Sequence, residues 1–347
     1  MPGHDSVPLS RAAEASAPNA PPRAWGGRLA LGKPEGPGPT TISSMRTEWI
    51  AVAEGVELAV DTWAPLGAAT AGATKTPAPS AAATPPFVLV HGLASNARMW
   101  DGVAARLAAA GVPALTVDLR GHGRSSKPDG SYGVRAVAAD LAALIERLAL
   151  DRPVVAGQSW GGNVAVELAA RHPDAIAGIV CVDGGWLEPS RQFADWDACR
   201  SALAPPRLLG RRLEEVEGYV RGAHPDWPET GIRGVLANFE VRPDGTIAPW
   251  LTYERHIEIL RGLWEHHPSE RYASIGAPVL LVPADSGEGP ADGGDWARRK
   301  RRDVEAAAAA IPNARVRWLA GDHDVHAQHP HELAGVILEM TTNGFFA

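Results

Sequence analysis

The run Val154-Val155-Ala156-Gly157-Gln158-Ser159-Trp160-Gly161-Gly162 carries the residue types that nucleophilic catalysis needs. An apolar, β-branched stretch ends in Gly-x-Ser-x-Gly, and an amphipathic pattern (Val164, Val166, Leu168, Ala169) begins at once. Such a run predicts a buried strand, a tight turn and a helix. The glycines at 157 and 161 let neighbouring backbones approach a serine held in a strained conformation, with its hydroxyl clear of the sheet edge. The first N–H groups of the following helix lack intrahelical acceptors and point at any negative charge that develops there. The chemistry on offer is attack by a hydroxyl on a carbonyl. Gly-x-Ser-x-Gly alone is a weak signal, so the surrounding elements must decide it. Four histidines, His323, His326, His329 and His331, lie near the end of the chain. They have no accompanying cysteines and match no zinc spacing, so no metal is expected, and helix capping and surface placement account for the last three.

The elements that must position Ser159 alternate regularly. Glu48 to Ala53 and Glu57 to Trp63 read as an antiparallel hairpin across Glu54-Gly55-Val56. The Thr/Ala/Pro-rich stretch from Ala71 to Pro86 reads as a flexible surface insertion. Phe87 to Val90 is a buried strand running into His91-Gly92-Leu93, with a helix from Arg98 to Ala110. Ala114 to Val117 is the next strand, ending in Asp118-Leu119-Arg120-Gly121-His122-Gly123-Arg124-Ser125, and Val134 to Leu148 is helical. After the Ser159 strand and helix comes Ile179 to Val182, ending at Asp183-Gly184-Gly185. This rhythm implies an α/β protein with a mostly parallel central sheet and helices on both faces, in which function gathers beyond the carboxyl ends of the strands.

From Trp186 to Ile275 the rhythm stops and aromatics accumulate: Trp186, Trp196, Trp227, Trp250, Trp264, Tyr219, Tyr253 and Tyr272. An insertion of this length beyond a strand end reads as a mostly helical cap, its aromatics mainly cap core with one or two facing a pocket. The sheet resumes at Val279 to Val282; a helix from Trp296 to Ala310, a strand from Arg315 to Leu319, Gly321-Asp322-His323-Asp324 and a closing helix from His331 complete the chain. The expected organisation is an N-terminal extension over 1–45, a core over 46–185 and 276–347, and a cap over 186–275. The extension is rich in Pro, Gly, Ala and Ser and is expected to be disordered. Met45 opens the first strand and is expected to be the true start, which intact-mass measurement of natively expressed protein checks.

The chain has 347 residues, 21% of them charged, and a net charge of −7. No basic block is long enough to track phosphates, so nucleic acid is not an expected partner. The cluster Arg298-Arg299-Lys300-Arg301-Arg302 reads as the solvated face of a surface helix. Cys181 and Cys199 are too few for a disulfide framework, and no stretch has the length of a membrane span or the shape of a signal peptide, which suggests a cytoplasmic protein.

Four motifs in this order, His91-Gly92 after a strand, Asp118-x-Arg120-Gly121-His122-Gly123-x-Ser125, the Ser159 turn and Gly321-x-His323, resemble the α/β-hydrolase fold superfamily, in particular its cap-bearing members with a serine nucleophile. The resemblance spans Met45 to the C-terminus. It implies Ser159 as nucleophile and His323 as the base that a serine hydroxyl requires at neutral pH. It further implies an oxyanion hole made by the backbone N–H groups of Leu93 and Trp160, with His91, Asp118, Arg120 and His122 in structural roles. The third triad member departs from the family pattern. Members usually carry an aspartate three residues past a glycine at the end of the strand that is Val279 to Val282 here, and that position holds Gly287. Asp285 and Glu288 lie near it but out of step, and Asp183 occupies the alternative place one strand earlier, so all three stay open.

The resemblance implies a cofactor-independent hydrolase that cleaves a carboxylic ester, thioester or lactone through an acyl-enzyme, and the acidic chain and the aromatics of the expected cap favour a small, neutral, largely apolar substrate. Relatives that open epoxides or remove halides carry aspartate at the nucleophile position, which disfavours those reactions here. A lyase, a cofactor-free oxygenase or a haloperoxidase-like enzyme on the same site, and a slow-turnover ligand-binding receptor, are the competing readings.

Overall fold

The computed structural model describes residues 45–64, 84–287 and 294–347. The expected disordered extension, most of the 71–86 insertion and Glu288 lie outside the described residues. Strands β1 (Met45–Ala53) and β2 (Val56–Trp63) form the antiparallel hairpin. The α/β layers follow as β3 (Phe87–Val90), α1 (Asp101–Ala109), β4 (Ala114–Val117), α2 (Val134–Arg147), β5 (Val154–Gln158), α3 (Trp160–Arg171) and β6 (Gly178–Val182). Between β6 and the next core strand stand α4 (Trp196–Leu203), α5 (Leu213–Ala223), α6 (Glu229–Leu236), a short antiparallel hairpin of β7 (Phe239–Val241) and β8 (Ile247–Pro249), and α7 (Tyr253–Glu265). The core then resumes with β9 (Val279–Val282), β10 (Ala284–Asp285), α8 (Gly294–Ala310), β11 (Ala314–Val316), β12 (Leu319–Ala320), α9 (Val325–Gln328) and α10 (Pro330–Thr342).

Eight strands form one sheet in the order β1-β2-β4-β3-β5-β6-β9-β11, antiparallel at β1–β2–β4 and parallel from β4 onward. The expected α/β fold with a mostly parallel sheet is therefore observed. Alternation along the buried strands divides the core. Val88, Val90, Val155, Ile179, Val279 and Leu281 pack with α2 and α3 on one face, while Phe87, Leu89, Ala156, Val180, Leu280 and Val282 pack with α1 and α10 on the other. Strands covered on both faces must be apolar throughout, and β3, β4, β5, β6 and β9 are buried at every position. Two details differ from the sequence reading. A β-hairpin, β7–β8, interrupts the helices of the inserted segment, and the expected last strand splits into β11, which joins the main sheet, and β12, which pairs with β10.

The strand ends beyond β3, β5 and β6 meet so closely that side chains are excluded. A Cβ at Gly157 would overlap the Gly161 carbonyl, one at Gly161 would lie 2.5 Å from the His91 carbonyl oxygen, and one at Gly184 would overlap the Ser159 carbonyl. Every one of these obstacles is backbone, which cannot rotate away. Gly184→Ala is therefore expected to lower stability by about 2 kcal/mol or more and to displace Ser159. A thermal melt should show a lower midpoint, and an unchanged midpoint would contradict the packing described.

Candidate active site

Ser159 sits between β5 and α3 with φ +52° and ψ −122°, a conformation that costs a non-glycine residue on the order of 1–3 kcal/mol. The surrounding structure holds it there. Ser159 N–H donates to the Val182 carbonyl at 2.9 Å, and the Ser159 carbonyl accepts from Gly162 N–H at 2.9 Å. Five non-glycine residues among those described have positive φ, and three of them, Ala94, Ser159 and Asp183, are gathered here.

Asp183 follows β6 with φ +40°, and that reversal carries its side chain to the loop after β12. His323 Nδ1 and Asp183 Oδ2 are 2.7 Å apart. The carboxylate is 1% exposed, and both of its oxygens are met: Ala284 N–H donates to Oδ1 at 3.0 Å, and the Lys300 ammonium lies 2.7 Å from Oδ1 and 2.9 Å from Oδ2. Burial works to raise the pKa of Asp183, but the Lys300 charge and the His323 hydrogen bond outweigh it and hold the carboxyl below its ordinary value. For His323, burial opposes protonation, yet the hydrogen bond and charge of Asp183 prevail and the imidazole is held above the ordinary 6.5. With Nδ1 committed to Asp183, Nε2 has no hydrogen-bond partner among the described residues. Gln158, the residue before Ser159, ties the two halves together by donating from Nε2 to the His323 carbonyl at 3.0 Å.

The structure separates the candidate acids. Asp285 lies on β10, about half exposed, with Oδ1 accepting from Gly287 N–H at 3.1 Å and Oδ2 3.7 Å from Arg301; it makes no contact with His323 among the described residues. Asp183 is the carboxylate at His323, and Glu288 lies outside the described residues.

The peptide joining Gly92 to Leu93 is oriented by a buried histidine. Leu119 N–H donates to His91 Nε2 at 3.0 Å, so the proton is on Nδ1, which donates to the Gly92 carbonyl at 2.7 Å. That carbonyl and the Leu93 N–H belong to one planar unit, so fixing one fixes the other. Burial keeps His91 neutral by pushing its titration down. Asp118 braces the same loop from below, accepting from Ala97 N–H at 2.7 Å and from the Arg124 side chain at 2.8 Å, and Arg120 forks onto Asp140 of α2. Trp160 opens α3, so its N–H has no intrahelical acceptor.

A cavity of about 1230 Å³ lies over Ser159, Asp183 and His323. The inserted segment supplies most of its wall, including Leu203, Leu208, Val216, Phe239 and Leu260, and Leu93, Ala94 and Ser95 supply its floor. Five of the eight aromatics expected mainly in a cap core line it: Trp186, Trp227, Trp250, Tyr219 and Tyr253. The "one or two" expected from sequence is thus too few, because an aromatic of this segment can be buried and still present an edge to the cavity, as Trp186 and Trp227 do. Hydrogen bonds tie the segment to the loops of the site: Asn96 Nδ2 donates to the Gly234 carbonyl at 2.8 Å and to Asn238 Oδ1 at 2.7 Å, and Trp227 Nε1 donates to Asp322 at 3.2 Å beside His323.

Two further corrections concern side chains read as surface groups. Lys300 does not belong to a solvated face; its side chain is 9% exposed. His326 is fully buried, packed 4.7 Å from the Trp100 ring, and burial pushes its titration down to about 3. The one signal for Lys300 was compositional, a single lysine inside a run of arginines in a chain with four lysines. Among the described residues no cluster of three or more His, Cys, Asp or Glu side chains could hold a metal ion.

Residues 85–214 match the model of the alpha/beta hydrolase fold family. The 2-(acetamidomethylene)succinate hydrolase of Mesorhizobium japonicum is 30% identical over 203 residues, 58% of this chain and 71% of the relative. The chain belongs to the alpha/beta hydrolase fold family. An esterase of Mycobacterium tuberculosis is 41% identical over 100 residues, 28% of this chain and 33% of that protein. Among solved structures, an E-2-(acetamidomethylene)succinate hydrolase has a TM-score of 0.66 at 22% identity, covering 85% of this chain and 98% of that one. A thioesterase domain from the curacin biosynthetic pathway gives 0.61 at 21%, covering 85% and 99%. These structural likenesses establish the fold, and the named relatives are hydrolases and esterases. This alpha/beta hydrolase is an enzyme.

The tautomers assigned above are directly measurable. In ¹⁵N NMR, His91 is expected to show the Nδ1–H tautomer and to titrate below 6.5, while His323 titrates above it. A His91 that titrates near neutrality would contradict its buried, doubly bonded setting.

Proposed function

We propose that this alpha/beta hydrolase cleaves a carboxylic ester, thioester or lactone through an acyl-enzyme, with Ser159 as nucleophile, His323 as base and Asp183 as acid. The observation that carries the reading is the 2.7 Å contact between Asp183 and His323 below a cavity that Ser159, held at φ +52°, also lines. Ser159 Oγ attacks the carbonyl as His323 Nε2 takes its proton, and Asp183 holds the tautomer and stabilises the imidazolium. The N–H groups of Leu93 and Trp160 receive the oxyanion. Collapse expels the alcohol or thiol, protonated by His323. Water, deprotonated by the same imidazole, then attacks the acyl-enzyme and releases the acid.

We read residues 186–275 as a cap over the core formed by 46–185 and 276–347. A cavity of about 1230 Å³ exceeds what a small ester fills, so the favoured substrate carries a bulky, largely apolar acyl or alcohol part. The substrate named for the Mesorhizobium relative is a succinate, a dicarboxylate, and it is not carried over. Of the cations at this cavity, Lys300 is bound to Asp183, Arg211 is paired with Glu215, Arg207 stacks on Tyr253 and Arg299 acts electrostatically on Asp303, which favours a neutral ligand. No helix among the described residues is long and apolar enough to cross a membrane. Two buried, unpaired cysteines suit a reducing cytoplasm.

Steady-state turnover of p-nitrophenyl esters of increasing chain length tests the assignment. Ser159→Ala is expected to reduce kcat by at least about 10⁴-fold. Asp183→Asn should cost about 10³- to 10⁴-fold, with Asp285→Asn near wild type; a larger loss at Asp285 would overturn the choice of acid. Because protonated His323 cannot act as base, kcat/KM should fall as pH drops through a value above 6.5. In Asp183→Asn that acid limb should move to lower pH.

A further inference from the structure

Lys300 lies on α8, and its ammonium is placed with unusual completeness for a lysine. Its three N–H donors match three acceptors, Asp183 Oδ1 at 2.7 Å, Asp183 Oδ2 at 2.9 Å and the Ala284 carbonyl at 2.9 Å, and the charge sits 4.3 Å from the Trp296 ring centroid. A lysine that is 9% exposed gives up most of its hydration and remains charged only where a carboxylate and full hydrogen bonding replace it. Asp183 is also the group that orients His323, so the carboxylate meets the imidazole already paired with a cation. We propose that Lys300 is a positioning residue for Asp183, clamping both carboxylate oxygens and offsetting their charge so that His323 remains an unprotonated base to lower pH than Asp183 alone would allow.

The sign follows from the charges around His323. Asp183 and Asp324 favour the imidazolium, and Lys300 opposes it; His326 and His91, buried nearby, stay neutral because burial pushes their titrations down. Asp303 and Arg299, on the same helix as Lys300, line the cavity too and leave the balance at Asp183 to the ammonium that touches it. Removing Lys300 therefore leaves Asp183 with its full charge on His323. Its geometric loss acts separately: each carboxylate oxygen loses one contact, leaving Oδ1 with the Ala284 N–H and Oδ2 with His323 Nδ1.

This inference rests on the proposed Ser159–His323–Asp183 assignment, and the pH profile of ester turnover tells the two apart. In Lys300→Met the acid limb of kcat/KM should move up by about one pH unit. Lys300→Arg, which restores charge without the three-donor fit, should return the limb to the wild-type pH even where the plateau stays low. A plateau loss with an unmoved limb would overturn the proposal and leave Lys300 a packing residue. Near-wild-type turnover in Asp183→Asn would instead overturn the assignment itself. Thermal melts supply a reading for the case in which Lys300→Met alone does not fold. Asp183→Asn strands a buried ammonium, so Asp183→Asn/Lys300→Met should melt at a higher temperature than Asp183→Asn. An equal or lower midpoint would overturn the clamp.

Discussion

Asp183 is a carboxylate with 1% of its side chain exposed, in a protein interior where an unpaired ion would take up a proton instead of staying charged. Its ionisation depends on groups from three separated stretches: Ala284 N–H beyond β9, Lys300 from α8 and His323 from the loop after β12. None of the three is placed by local structure alone. The parallel register of β6 with β9 brings Asp183 N–H to the Val282 carbonyl at 2.9 Å, and the pairing of β10 with β12 sets the start of the His323 loop. The C-terminal third of the core is in this sense arranged around one buried charge.

The opposite wall of the site obeys a different constraint, the close approach of backbones. Gly157, Gly161 and Gly184 let β3, β5 and β6 meet at Ser159, and no larger residue fits against the carbonyls there. His91 then fixes the Gly92–Leu93 peptide by using both ring nitrogens on backbone groups. A neutral, buried imidazole serves this purpose well, because protonation would remove the acceptor that Leu119 N–H needs. Charge and hydrogen-bond direction are thus separated in the site: the titration of His323 is held above the ordinary 6.5 and that of His91 is pushed below it.

The alternation of strands and helices was legible because strands buried on both faces must be apolar runs, and β3, β4, β5 and β6 are. The Ser159 turn was legible because its glycines are required by backbone contact. Which of Asp183 and Asp285 lies against His323 was not, since both follow apolar strands and differ in the loop path beyond them. Asp183 turns at φ +40° toward His323, whereas Asp285 is held in β10 and spends its side chain on Gly287 and Arg301. Lys300 was hidden for a related reason. A run of basic residues on a helix reads as one solvated face, but helical geometry turns neighbouring positions in different directions, and position 300 faces inward while Arg301 is 55% exposed. His326, with no hydrogen-bond partner for either ring nitrogen among the described residues, gave no pattern that marks it as buried.

The most direct measurement is reaction of the purified protein with a fluorophosphonate, followed by mass spectrometry of the labelled peptide. A strained serine that lines the same cavity as the imidazole held by Asp183 should be modified at Ser159 and nowhere else, and prior Ser159→Ala substitution should abolish labelling. Modification at a different residue, or full labelling of Ser159→Ala, would contradict the account.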